Sequence, residues 1–279
     1  MTDRTPRTYP QGVPSWIDGR HPDPDAAQAF YGGLFGWDFE ERLPPGAAGS
    51  YRIVSIDGRE VGAIASGDEP SSWTTYIAVD DADAVAARVV ELGGTAAPAE
   101  DAGPGGSAGR SVDCVDPRGA AFGLWQARDR LGSQHINAPG GWVFSDLRST
   151  EQEQSISFYE QLFGWRVSGI EEGPSAMVRL PGYGDHLAAT SDPDIRERQI
   201  GAPEGFADVI GALARLDDGP DDWHVSFSVA DRDDAAARVE ELGGTVLGTW
   251  QGPWTRAAEL RDPQGATFRV TQFAPEGDA

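Results

Sequence analysis

The stretch Phe30-Tyr31-Gly32-Gly33-Leu34-Phe35-Gly36-Trp37 decides the fold of this chain because it occurs twice. Its second copy, 128 residues later, reads Phe158-Tyr159-Glu160-Gln161-Leu162-Phe163-Gly164-Trp165. Six of the eight positions are identical, and four of those six are aromatic, which chance rarely produces. The chain is therefore a duplication, and we expect one domain for each copy.

The residues around the first copy predict a module of one strand, one helix and three further strands. Residues 16–20 read as a strand, and Asp23-Pro24 has the cap and the proline that begin many helices. The apolar residues from Ala26 to Leu34 keep three- and four-residue spacings, and Gly36 ends the helix. Further strands are expected from Trp37, at 51–56 and at 61–65.

A second module of the same kind begins at residue 73. Its strand at 73–79 and helix at 82–92 are followed by the turn Asp116-Pro117-Arg118-Gly119 and a last strand. The second half of the chain repeats these features, including the turn as Asp262-Pro263-Gln264-Gly265. The sequence therefore predicts an α+β chain of four βαβββ modules in two tandem domains.

The repeats also predict where the domains begin and end. We expect a flexible arm at 1–13, a first domain at 14–127, a linker at 128–139, a second domain at 140–273 and a short tail at 274–279. The offset between matching residues rises from 128 to 150, which indicates an insertion of 22 residues within 191–222 of the second domain.

Three local predictions concern this second domain. Helical spacing at 206–216 suggests that the insertion forms a lid or a packing helix. The strand that precedes the insertion is placed at 187–190. Thr150-Glu151-Gln152-Glu153 has the form of a capping box at the start of a helix.

Composition narrows the function classes. A net charge of −23 without a basic cluster disfavours nucleic acid and anionic membrane surfaces as partners. No long apolar segment or secretory signal is visible, so we expect a cytoplasmic protein. All 22 basic residues are arginines, which excludes lysine Schiff-base chemistry. The single cysteine, Cys114, alternates with strand residues and is expected to be a buried structural thiol.

The repeated strand and helix order, with Phe-Tyr-x-x-Leu-Phe-Gly-Trp and Asp-Pro-x-Gly, resembles the vicinal oxygen chelate superfamily. That superfamily holds glyoxalase I, bleomycin-resistance proteins and extradiol dioxygenases. The resemblance implies that the modules pair into a curved mixed sheet around one cavity in each domain, with helices outside. It leaves open whether the paired modules come from one domain or are exchanged between partners.

Enzymes of that superfamily usually bind a divalent metal through His, Gln or Glu on the first and last strands of paired modules. Counted from the motifs, those positions are Trp16, Thr74 and Gly123 in the first domain, and Phe144, His224 and Arg269 in the second. A metal site needs several converging oxygen or nitrogen ligands, and only His224 supplies one. We therefore expect no metal and no other cofactor.

Strand alternation identifies the residues that share a face with these positions. The predicted ligand-binding residues of the first domain are mostly aromatic or polar: Trp16, Asp18, Arg20, Thr74, Tyr76 and Trp125. In the second domain the set is more polar: Phe144, Asp146, Arg148 and Ser226. There His224 is a candidate acid-base group and Arg269 a candidate anion clamp. An ion pair of Asp146 with Arg148 or Arg269 would instead be structural.

Two classes of function follow. The first is a metal-independent protein, similar to bleomycin-resistance proteins, that binds a small aromatic or apolar drug or metabolite; alternatively, Trp16 and Trp125 fill the first cavity themselves. The second is a metal-free lyase, isomerase or similar enzyme in which His224 transfers a proton and Arg269 stabilises negative charge. A metal-dependent lyase or dioxygenase is less favoured. The protein is expected to be a monomer or a homodimer, and a role of the insertion in assembly stays open.

Overall fold

The computed structural model describes residues 5–168 and 175–275. The elements of the first half are β1 (Pro14–His21), α1 (Pro24–Phe35), β2 (Asp38–Glu41), β3 (Tyr51–Ile56), β4 (Arg59–Ser66), β5 (Ser72–Ala78), α2 (Ala82–Glu91), β6 (Thr95–Ala96), β7 (Glu100–Ala102), β8 (Gly109–Val115) and β9 (Ala121–Ala127). The predicted order of strands and helices is therefore confirmed for this half, with one extra short strand after α2.

The second half repeats the order. Its elements are β10 (Trp142–Ser149), α3 (Gln152–Phe163), β11 (Arg166–Ser168), β12 (Ser175–Arg179), α4 (Tyr183–Ala189), α5 (Ile195–Arg198), β13 (Val209–Arg215), β14 (Asp222–Ser228), α6 (Arg232–Glu241), β15 (Thr245–Gln251), β16 (Thr255–Arg261) and β17 (Thr267–Phe273). Short 3-10 helices lie at Pro104–Gly106 and Phe206–Asp208. None of the helices in the described ranges has the length and apolar character needed to cross a membrane.

The strands belong to two mixed sheets, β1 to β9 and β10 to β17, which confirms the α+β class and the tandem repeat. Within a module the middle strands pair antiparallel, as in the order β2-β3-β4. The first and last strands of a module pair in parallel, as β1 does with β4 and β14 with β17. A parallel pair needs a crossover connection, and the module's helix together with its middle strands supplies that crossover.

The chain is organised in two compact units. The first unit comprises the described residues of 1–16, 75–132 and 145–223. The second unit comprises those of 17–74, 133–144 and 224–279. Each unit thus combines one module from each half of the chain, whereas the predicted domain boundaries follow the order of the repeats and stay a prediction.

Each compact unit has its own hydrophobic core. In the first unit the core includes Val89 of α2, Phe158 and Phe163 of α3, and Cys114. Cys114 is buried, as the sequence predicted, and burial raises the pKa of its thiol to about 12.

The core of the second unit joins α1 to α6 above the strands. Phe30 of α1 and Val239 of α6 pack with Phe268 of β17. Gly33 lies where α6 comes close to α1: a Cβ there would be 2.9 Å from Cδ2 of Leu242. The close approach explains why this copy of the motif carries glycine at the position where the other carries Gln161.

The repeated motif and the Asp-Pro-x-Gly turn meet in a buried hydrogen-bond network. In the second unit, the hydroxyl of Tyr31 donates to Oδ2 of Asp262 over 2.9 Å, and Nε1 of Trp73 donates to the Tyr31 hydroxyl over 3.2 Å. The first unit repeats the arrangement: the Tyr159 hydroxyl donates to Oδ2 of Asp116 over 3.1 Å. Both carboxyl groups also accept backbone N–H groups of their own turns. The network therefore ties two distant parts of the sequence together in each unit.

The tryptophan that ends the motif anchors the chain just before a first strand. Nε1 of Trp37 donates to the carbonyl of Gly140, ahead of β10, over 2.8 Å. Nε1 of Trp165 donates to the carbonyl of Gly12, ahead of β1, over the same distance of 2.8 Å. Gly12 and Gly140 have φ angles of 91° and 77°, a left-handed region that favours glycine. Each motif thus holds the start of the other half's first strand.

The N-terminal arm makes specific contacts from residue 5 onward. An Nη2 group of Arg7 donates to the hydroxyl of Tyr183 on α4 over 2.6 Å. Tyr9 packs against the core of the first unit. The flexibility of the arm stays a prediction, and these contacts show what its described residues bind in this conformation.

Three local predictions for the second domain were wrong. Residues 209–215 form β13 rather than part of a helix, because this segment pairs with β10 on one side and with β12 on the other. Residues 187–190 lie at the end of α4 instead of in a strand. The capping box does not form, since the Thr150 hydroxyl donates to Asp221 and Glu151 makes no side-chain cap. The extra residues accordingly lie at 180–208, where the first half has a tight turn between β3 and β4.

The two turn aspartates, Asp262 and Asp116, have pKa values that are shifted in opposite directions. Burial would raise the pKa of Asp262, but hydrogen bonds from His21 and Tyr31 and the His21 charge outweigh it and lower the pKa. Burial, together with the charge of Asp221, raises the pKa of Asp116. Ionised Asp262 therefore stabilises the fold above about pH 4, and this contribution is lost as the pH falls further. The stability due to Asp116 is complete below about pH 4 and is lost as the pH rises.

At pH 7 we expect Asp262→Asn to lower the free energy of unfolding by about 1–3 kcal/mol, and the matched Asp116→Asn to lower it less. Below about pH 4 the difference between Asp262→Asn and the wild type should shrink. Urea unfolding of the three proteins between pH 3 and pH 7 measures both effects. Equal losses that do not change with pH would contradict the assignment.

Candidate functional site

The strands β14, β17, β16 and β15 of the second compact unit are neighbours in that order. Their register places Ser226, Arg269 and Glu259 side by side in one row. Phe268 and Val270 point to the other side of β17, where they are fully buried in the core with α6. Because side chains alternate along a strand, the row lies on the face opposite α6. We call this surface the polar face and define it by His224, Ser226, Trp250, Glu259 and Arg269.

A histidine and a carboxylate meet at the centre of the polar face. Nε2 of His224 lies 2.7 Å from Oε1 of Glu259, although the angle at the ring nitrogen falls outside hydrogen-bond geometry. The His224 side chain is 1% exposed and the Glu259 side chain 18% exposed. The carboxylate therefore lies in close contact with a buried imidazole and links it to a part of the site that solvent reaches.

Arg269 lies beside the second oxygen of the Glu259 carboxylate. Its Nε lies 3.6 Å from Oε2 of Glu259, and its guanidinium carbon lies 5.0 Å from the centre of the Trp250 ring. Trp250 is 42% exposed, whereas the Arg269 side chain is 21% exposed. Imidazole, carboxylate, guanidinium and indole thus follow one another across the polar face.

These four groups have complementary chemistry. A carboxylate beside an imidazole is an arrangement that orients the ring for proton transfer. A guanidinium binds carboxylate and other anionic oxygens, and an exposed indole ring offers a surface on which a flat molecule can stack. The polar face can therefore hold an aromatic ligand and present its oxygen atoms to an acid-base group.

The sequence analysis named His224, Ser226 and Arg269, which the structure places on the polar face, but did not name Glu259 and Trp250. Neither residue lies on a strand that carries the family's ligand positions: Glu259 lies on β16 and Trp250 on β15, in the neighbouring hairpin. The Asp262 turn pairs Arg261 with Thr267, which places Glu259 opposite Arg269. Counting outward from that turn was the signal available for Glu259, whereas Trp250 depends on a register shift in β15 that spacing does not reveal.

The other predicted residues of the second unit lie on β1, β5 and β10, outside the four strands of the polar face. Asp18 is 4% exposed and accepts a hydrogen bond of 3.0 Å from the Tyr51 hydroxyl. Arg20, Thr74 and Phe144 are half-buried.

The aromatic residues predicted for the first domain lie in the first compact unit. The ring of Tyr76 covers Gly123, where a Cβ would be only 2.0 Å from the ring. The Arg130 guanidinium carbon lies 5.6 Å from the centre of the Trp16 ring, and Nε1 of Trp125 donates to the Arg130 carbonyl over 3.0 Å. Trp16, Tyr76 and Trp125 are 3%, 5% and 7% exposed, so they present little surface to a ligand in this conformation.

Asp146 and Arg148 also lie in the first unit. Asp146 is 6% exposed. Arg148 forms a two-pronged ion pair with Asp222, in which Nε lies 2.7 Å from Oδ1. The sequence analysis allowed a structural ion pair between Asp146 and Arg148. In the structure Arg148 forms an ion pair with Asp222.

The residues at the polar face do not fit the metal that the superfamily resemblance implies. Across the described parts of the chain, no group of three or more His, Cys, Asp or Glu side chains is placed to hold a metal ion. At the polar face the donor set is one imidazole and one carboxylate, and their next neighbour is the Arg269 guanidinium, which is itself a cation. A zinc site generally has at least three protein ligands, and the two donors of the polar face fall short of that number.

Comparison with known proteins shows the family. A family model described as "Glyoxalase-like domain" matches residues 16–125 and again residues 142–271. The chain is 36% identical to the Mycobacterium bovis protein named "Putative glyoxylase CFP32", over 96% of this chain and 97% of that protein. It is 32% identical to "Anthracycline biosynthesis protein DnrV" of Streptomyces peucetius, over 95% of this chain and 94% of that protein.

Solved structures share the fold at low identity. The Mn(II)-bound glyoxalase from Novosphingobium aromaticivorans has a TM-score of 0.60 and 18% identity, covering 94% of this chain and 82% of its own. The 2,3-dioxygenase LapB from Pseudomonas sp. KL28 has a TM-score of 0.62 and 13% identity, covering 98% and 96%. The chain therefore belongs to the glyoxalase-like family of the vicinal oxygen chelate superfamily and carries two copies of its domain in tandem.

Proposed function

We propose that this protein binds a small aromatic molecule, without a metal, at the polar face of the second compact unit. The observation that carries this proposal is the row of Trp250, Arg269, Glu259 and His224, in which an exposed indole adjoins charged groups and a buried imidazole. Binding sites for small molecules commonly combine an aromatic surface with a few polar groups that orient the ligand.

The kind of ligand is supported by chemistry and by a relative. Trp250 is 42% exposed although it is a large apolar ring, and such a ring gains free energy when a flat molecule covers it. The relative from Streptomyces peucetius is named for anthracycline biosynthesis, and anthracyclines are polycyclic aromatic compounds. We therefore favour a planar aromatic ligand over an aliphatic one.

The first-domain residues are a weaker candidate for the ligand site. Trp16, Tyr76 and Trp125 are each less than a tenth exposed, and Tyr76 covers Gly123. A ligand there would have to displace these rings, which costs the packing that they make.

A second candidate function is an enzyme that transfers protons without a metal, of the lyase or isomerase type. The close contact of His224 with Glu259 favours it, since an imidazole beside a carboxylate is a common arrangement for general acid-base catalysis. In this function Arg269 would stabilise negative charge on the oxygen of a substrate carbonyl as a neighbouring C–H proton leaves.

Replacing Trp250 by Ala tests the binding proposal. We expect anthraquinone-2-carboxylate to bind the wild type and to bind Trp250→Ala about 2- to 10-fold more weakly, because the stacking surface is lost. Isothermal titration calorimetry measures the dissociation constants. Trp254→Ala is the matched control, because Trp254 is 53% exposed and stands at the tip of the hairpin between β15 and β16. Equal weakening in both variants, or no saturable binding to the wild type, would contradict the proposed site.

Replacing His224 by Ala tests the enzyme candidate. With aromatic ketones in heavy water, the wild type should catalyse deuterium exchange at the carbon beside the carbonyl. His224→Ala should slow this exchange about 100-fold or more and still bind anthraquinone-2-carboxylate. Proton NMR follows the exchange, and Ser228→Ala on the same strand is the control. If the wild type is no faster than His224→Ala, the enzyme candidate is wrong and the binding function is unaffected.

A further inference from the structure

His224 and Glu259 supply two of the three ligands that a minimal cation site needs. Their contact atoms are 2.7 Å apart, and an imidazole nitrogen and a carboxylate oxygen are both good ligands for divalent metals. A third oxygen or nitrogen ligand beside them would complete a minimal site.

The third neighbour is a positive charge instead of a ligand. Arg269 lies one strand over from Glu259, in register with it, and its Nε is 3.6 Å from the second oxygen of the same carboxylate. Arginine has no acceptor atom and stays protonated in proteins. The guanidinium therefore brings a fixed cation to the carboxylate that would otherwise attract a metal ion.

Trp250 contacts the Arg269 guanidinium at the solvent-exposed part of the polar face. Its ring centre is 5.0 Å from the guanidinium carbon, within the range of a cation–π interaction. A ligand that stacks on the exposed part of the Trp250 ring beside Arg269 can bring its substituents within reach of the guanidinium. An anionic oxygen on the ring system would meet the guanidinium, and a neutral substituent would gain less from the contact.

We propose that Arg269 is a built-in cation which takes the place of a metal ion at the polar face and binds a carboxylate or phenolate oxygen of an aromatic ligand. This inference rests on the proposed binding function and adds to it the charge of the ligand. It also explains why the face carries only two metal-type ligands: the charge that a metal would supply is already present in the chain.

The equivalent row of the first compact unit lacks this cation. There the partners in register are Tyr76, Gly123 and Asp113, which correspond to Ser226, Arg269 and Glu259 of the second unit. Tyr76 occupies the space above Gly123, whereas the small Ser226 stands beside the long Arg269. The anion site is therefore assigned to the row of the second unit.

The first test compares two ligands that differ only in charge. Calorimetry with the wild type should show anthraquinone-2-carboxylate binding about 10-fold or more tightly than anthraquinone-2-carboxamide. In Arg269→Gln this preference should disappear, with the carboxamide bound as in the wild type. Arg269→Lys should retain part of the preference, because it keeps the charge but loses the planar geometry.

The second test converts the site. In Arg269→Glu the guanidinium is replaced by a carboxylate beside His224 and Glu259, which completes three ligands. We expect this variant to bind Zn²⁺ at least about 10-fold more tightly than the wild type. Thr271→Glu, which places the same carboxylate two residues along β17, is the matched control and should bind Zn²⁺ like the wild type. His224→Ala combined with Arg269→Glu should lose the gain.

The outcomes separate the two proposals. If both anthraquinones bind equally and Arg269→Gln changes nothing, the anion site is wrong while the binding function stands. If neither compound binds, both proposals fail. If Arg269→Glu binds Zn²⁺ no better than Thr271→Glu, the three side chains do not converge and the inference is overturned. Circular dichroism spectra of all variants should match the wild type, which shows that each variant folds.

Discussion

The buried hydrogen bond between a motif tyrosine and a turn aspartate is the constraint on which this fold depends. Tyr31 binds Asp262 and Tyr159 binds Asp116, so each bond joins residues far apart in sequence. A buried carboxyl group without partners is costly, and here backbone N–H groups and a phenol satisfy it. Because both partners come from repeated motifs, the duplication reproduces the bond in each compact unit. The motif therefore acts as a polar anchor in the core as well as an apolar one.

The two copies of this anchor have diverged in charge while keeping the same geometry. His21 contacts Asp262 over 2.8 Å, and the residue at the corresponding place in β10 is Ser149, which donates to Asp221 instead. Against the effect of burial, hydrogen bonds from His21 and Tyr31 contribute to lowering the pKa of Asp262, whereas burial and a second carboxylate raise the pKa of Asp116. The fold tolerates either solution because the backbone donors of the turn are the same in both.

The sequence was sufficient for the order of elements because the repeat, the Asp23 cap and the glycines that end helices are local signals. The sequence was insufficient where strand pairing determines the structure against the spacing of apolar residues. Residues 209–215 have helical spacing but form β13, since strands on both sides offer backbone partners. Glu259 was missed for a related reason: its role comes from the register between β16 and β17, which spacing within one strand does not contain.

The two copies exchange large and small residues at equivalent positions of their sheets, so the same fold carries two different surfaces. The row of Tyr76 and Gly123 in one unit corresponds to Ser226 and Arg269 in the other, so the large side chain moves from one strand to its neighbour. A ring over a glycine fills space with apolar volume, whereas an arginine beside a serine fills it with a directed charge. The backbone register is unchanged by this exchange. Duplication thus allows one copy to keep a packed interior while the other carries a charged face.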